Sequence, residues 1–252
     1  MAVLAGLAGI TAAAWIYVVV EAHRMTDMST GMSDHSMVAS MHAVVGVQPW
    51  TAAEFGLRLL MWAVMMVAMM VPTAAAMTLV YAAVARKAAV QSNPVAPTFV
   101  FVAGYIVIWS LFSVAATAAQ WELDRAALLS PMMVSNSVLL GSALLIGAGV
   151  YELTPLKHSC LRHCRAPAQF LSQNWRGGMI GAFRMGLRLG AYCLGCCWVL
   201  MGLLFVGGVM NLLWIAAISA FVLLEKILPF GHAAGWFAGA AMILVGAVSL
   251  AL

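Results

Sequence analysis

The sequence predicts an all-α fold, a polytopic transmembrane helix bundle of about seven spans, or six if the short sixth segment is re-entrant. Three observations carry this. Of 252 residues, 65% are hydrophobic and only 8% charged, too few polar groups to coat a water-soluble core. Mean hydropathy is +1.02. Apolar segments of about 20 residues, the length a helix needs to cross a bilayer, use up nearly the whole chain, so residues 1–252 are expected to form a single integral membrane domain.

The first span, 2–21, has neither a basic leader nor a small-x-small cleavage pattern and is expected to be retained. A polar loop at 22–53 follows. The second span, 57–84, contains Pro72, which removes a backbone hydrogen bond and is expected to kink it. The third lies at 98–120 and the fourth at 137–156, leading into a basic Cys/His loop at 157–182. The fifth, 183–208, carries three cysteines; the sixth, 211–228, ends in Glu225 and Lys226; the seventh is 233–252.

Lys and Arg alternate by side. Arg86, Lys87, Lys157, Arg162, Arg165, Arg176, Arg184, Arg188 and Lys226 fall on one side, against Arg24, Arg58 and Arg125 on the other. The positive-inside rule then puts the amino terminus in the cytoplasm and the 22–53 loop outside the bacterial inner membrane. The net charge of +4 is spread over short loops, which speaks against nucleic acid as a partner and for the lipid bilayer. Walker, dinucleotide, nucleophile-elbow and HExxH motifs are absent from the sequence, so ATP-driven and hydrolytic chemistry have no support.

The side chains that can do chemistry are soft. In the outer loop, HRMTDMSTGMSDHSMVASMH sets His23, Met25, Met28, Met32, His35, Met37, Met41 and His42 among polar residues. Thioethers favour Cu(I) and imidazole serves copper in either state as well as zinc. A thioether also needs no deprotonation and survives outside the cytoplasm. The loop reads as a copper collector, or else as a polar linker. In the second span Met61, Met65 and Met69 follow at i, i+4, i+8, with Met66 and Met70 in a parallel row. Packing filler is the competing reading there.

In the fifth span, AYCLGCCWVLM places Cys193, Cys196 and Cys197 at i, i+3, i+4 on one face, most of a trigonal or tetrahedral site. Counting about 1.5 Å per residue, these thiols and Met65–Met70 share one depth near mid-bilayer. Simple burial of three small hydrophobes is the alternative. Cys160 and Cys164, with His158 and His163, suit Cu(I) or zinc on the cytoplasmic side. The same stretch also reads as an interfacial segment whose Lys157, Arg162 and Arg165 meet anionic headgroups. A carboxylate of Glu152 or Glu225 is expected to pair with Arg188, because unpaired charge at membrane depth is expensive.

With these residues in view, the chain resembles a bacterial family of predicted metal-binding integral membrane proteins. MWAVMMVAMMVPTAAAM, YELTPLKHSCLRHCRAP, CLGCCWVLM and VLLEKILP carry the resemblance across about residues 57–230. It implies a metal-binding membrane protein, with copper the suspected metal and zinc the alternative. The outer Met/His loop lies outside that pattern. Copper handling through the buried Cys/Met cluster is the first expectation, as transfer across the membrane or delivery to a membrane enzyme, with a copper chaperone or membrane oxidoreductase as expected partner. A copper-containing membrane oxidoreductase, or a subunit of one, and a structural or assembly subunit are the alternatives. Sulfur-rich coordination and the scarcity of histidine within the spans favour the first.

Overall fold

The computed structural model describes residues 2–33, 50–90, 96–129, 133–135, 137–228 and 231–251, with side chains described for all of these except 26–33, 89, 90 and 232. Among the described residues the chain forms ten helices and no strand. They are α1 (Ala2–Ser33), α2 (Ala52–Val90), α3 (Thr98–Arg125), α4 (Val138–Glu152), α5 (Pro155–Arg165), α6 (Pro167–Asn174), α7 (Gly178–Gly202), α8 (Leu204–Gly207), α9 (Leu212–Ile227) and α10 (Gly231–Ala251). Five are long and apolar enough to cross a membrane, and six if the bent pair α4–α5 counts as one span. The sixth expected span, α9, has 16 residues and is shorter than the length a straight crossing requires.

Several ends differ from expectation, each for a local reason. Helix α1 runs on to Ser33 instead of stopping at residue 21. Hydropathy falls there, but Glu21, Ala22, His23, Arg24 and Met25 are all compatible with a helix, which needs no apolarity to continue. Helix α2 starts before residue 57 because TAAE forms a capping box: Glu54 N donates to Thr51 Oγ1 at 3.2 Å, and Thr51 N donates to Glu54 Oε2 at 2.7 Å. The fourth span breaks at Glu152 instead of reaching 156. Pro155 keeps Thr154 out of the helical region, Thr154 becomes the N-cap of α5, and the axis turns by 64°. The segment expected as a loop at 157–182 is therefore largely helical, as α5 and α6.

Pro72 leaves the Ala68 carbonyl without its intrahelical donor. Trp15 Nε1 of α1 supplies one at 3.1 Å, tying the first helix to the second at the defect. The main interfaces pair α3 with α7, α4 with α10, and α2 with α1 and α3. Helices α3 and α7 meet along small residues. A Cβ at Gly190 would stand 2.8 Å from Ile108 Cβ, so any larger residue would push the helices apart.

The buried charges pair differently from expectation. Glu152 and Glu225 do not meet Arg188. Both contact Lys157 Nζ, with Glu225 Oε1 at 2.8 Å, and all three side chains are at most 2% exposed. Lys157 therefore cannot serve lipid headgroups. Its place at the start of the bent α5 turns it inward, whereas Arg188 lies on the exposed face of α7 and donates to Asn174 Oδ1 at 2.6 Å.

Candidate functional site

The site is built on α7. Cys193, Cys196 and Cys197 are each 1% exposed, as their shared face requires. The Cys196 and Cys197 sulfurs lie 3.1 Å apart as free thiols, and Cys196 Sγ donates to the Cys193 carbonyl at 3.1 Å. Cys193 Sγ is met by polar side chains of two other helices. Tyr105 Oη of α3 lies at 3.0 Å and Lys226 Nζ of α9 at 2.9 Å. Lys226 Nζ also donates to Thr73 Oγ1 of α2 at 2.9 Å, and Tyr105 Oη donates to the Met70 carbonyl at 3.0 Å. One sulfur thus sits at the junction of α2, α3, α7 and α9, with an ammonium beside it.

Helix α5 adds a fourth thiol. Cys164 lies against Cys193 and Cys196. The reason is the bend at Thr154–Pro155, which lays α5 along α7, together with Gly195, where a Cβ would come within 2.8 Å of Cys160 Sγ. The separate Cys160/Cys164 site expected from sequence is thus merged in part with the buried one. The two imidazoles go elsewhere: His163 stacks on Tyr192, centroids 4.1 Å apart and planes 1° from parallel, with Nδ1 2.8 Å from the Ser159 carbonyl. His158 lines a shallow cavity with Leu161, Arg162, Arg165 and Ala166.

Met65, Met66, Met69 and Met70 are wholly buried. Their helix reaches the thiols through the Met70 carbonyl and Tyr105. Met185 and Met201 of α7 are equally buried, and Met201 follows Cys197 at i+4, a sulfur the sequence reading passed over. Lys226 and Tyr105 were also missed as parts of the site. A lysine within LLWIAAISAFVLLEKILP was the available signal, since charge in so apolar a segment must find a partner.

Of the soft residues in the 22–53 segment, His23 and Met25 are described. His23 Nδ1 bonds the Val19 carbonyl at 2.8 Å, and Met25 is half-buried. Met28 and Met32 belong to α1, but their side chains lie outside the described residues, as do His35, Met37, Met41 and His42 entirely. Among the described residues, no group of three or more His, Cys, Asp or Glu side chains stands in an arrangement that could hold a metal ion.

A family model described as "PpoB2: Copper chaperone" matches residues 59–249. No curated protein and no solved structure matches the chain.

Proposed function

The chain belongs to the PpoB2 copper chaperone family, and on that premise we propose that it holds Cu(I) as cargo on a pair of thiols drawn from Cys193, Cys196, Cys197 and Cys164 and hands it to a membrane-embedded acceptor. The observation that carries this reading is the convergence of the half-buried Cys164 of α5 on the buried thiols of α7. Thiolates are the ligand form of cysteine, and soft sulfur selects Cu(I) among biological metals. Lys226 supplies positive charge where the ligand must be anionic. Copper leaving that site would bring the ammonium and the sulfur back together, so that neither is left bare in a medium of low dielectric. The buried thioethers of α2 and α7 offer further soft donors around the thiols.

The test is metal counting. Purified under reducing conditions and loaded with Cu(I), the wild type should retain copper through gel filtration. The Cys193→Ser/Cys196→Ser/Cys197→Ser variant should lose that equivalent. A wild type that binds no Cu(I) would sink the reading. Delivery is separated from transport in sealed proteoliposomes: the delivery reading expects no net copper entry into the lumen, and sustained luminal uptake would favour a transporter.

A further inference from the structure

A second constellation of soft donors lies apart from the thiols, on α1 about two turns before its end. Ala22, His23 and Met25 line a cavity of about 360 Å³ together with Gly207, Gly208, Met210 and Asn211. Resting on the copper reading above, we propose that His23, Met25 and Met210 make a Cu(I) docking site. Copper caught by the Met/His segment 23–42 would be received there before it moves to the buried sulfurs.

Each donor is placed by an identifiable cause. Ala22, 5% exposed, marks the side of α1 turned into the bundle. At 100° per residue, His23 and Met25 flank it on either side. The contact from His23 Nδ1 to the Val19 carbonyl at 2.8 Å holds that nitrogen as the N–H, so Nε2 keeps its lone pair. A backbone carbonyl that fixes the ring in this way is the usual outer partner of a metal-binding histidine. Met210 comes from the other side of the fold. Gly208, at φ 96, ends α8 in a left-handed turn, and Asn211 then caps α9 by accepting from Trp214 N at 3.2 Å. These two fixed points hold Met210 between them at the cavity wall, half-buried against the core.

One imidazole and two thioethers form a neutral, soft set that favours Cu(I) over zinc. Among the described residues, neither Lys nor Arg lines the cavity. Weaker, uncharged ligands at the mouth and thiols beneath would grade affinity inward.

The diagnostic substitution is Met210→Leu. Met210 is distant in sequence from the Met/His segment, and the exchange conserves volume. The full-length protein in lipid nanodiscs is titrated with Cu(I) against a competing chelator, as wild type and with Met210→Leu or His23→Ala. The expected result is the loss of one equivalent in either variant, or at least a tenfold weakening of it, with the thiol-bound equivalent intact. X-ray absorption of the triple Cys→Ser variant should then show a mixed nitrogen and sulfur shell that disappears on adding Met210→Leu. Unchanged stoichiometry and affinity in both single variants would overturn the docking site while leaving the thiol site standing. A wild type that takes up no Cu(I) at all would fell both.

Discussion

Lys226 and Lys157 are both buried lysines, yet they are satisfied in different currencies. Lys157 stands between two carboxylates, whereas Lys226 has a thiol and a hydroxyl. Their substitutions should therefore separate. Lys226→Met should leave the protein folded and weaken Cu(I) binding at least tenfold in chelator competition, with Lys226→Arg restoring part of it; equal affinities in all three proteins would show that the ammonium plays no part. Lys157→Met should leave two buried carboxylates facing each other and cost on the order of 3 kcal/mol in stability. Denaturant unfolding in micelles would read that loss, and copper stoichiometry should not change. The sequence exposed the three α7 cysteines through spacing alone. It did not expose their neighbours, because Tyr105, Thr73 and Lys226 come from three separate helices and meet only on packing.

At the scale of elements, two interruptions stand beside the site that α7 carries, the break at Thr154–Pro155 and Pro72 in α2. Periodicity and hydropathy located every long helix, since an apolar run of sufficient length has few alternatives in a bilayer. They could not say that Pro155–Arg165 folds back along α7, because that stretch is polar and its partner is chosen by the gap at Gly195. Gly195→Ala should accordingly displace Cys160 and α5. The expected readout is faster alkylation of Cys164 by a membrane-permeant maleimide, with Cys193 still protected; identical labelling of variant and wild type would mean that α5 is held by other contacts. The second interruption is Pro72. Trp15→Phe removes the donor to the Ala68 carbonyl and should cost about 1 kcal/mol, measurable as a lower unfolding midpoint.

For the whole molecule, the apolar composition settled the class before any motif was read, and the helices agree with it: five are fit to cross a membrane, or six with the bent pair. The distribution of charge was less legible. Composition counts ions, but it does not say which face inward, so Lys157 read as a surface residue and proved to be interior. The defect at Pro72 gives this architecture a further property. Tyr105 has a single hydroxyl proton and two atoms within reach of it, the Met70 carbonyl two residues before Pro72 and the Cys193 sulfur. A ligand that changes what the sulfur asks of that proton changes the tension on the weakest turn of the longest helix. Stripping copper with a chelator should then alter amide deuterium exchange across residues 68–76 while the α4–α10 pair stays as it was. Occupancy at one atom would be audible as stiffness along a helix of 39 residues, the means by which a partner docked at either end could sense whether the carrier is loaded.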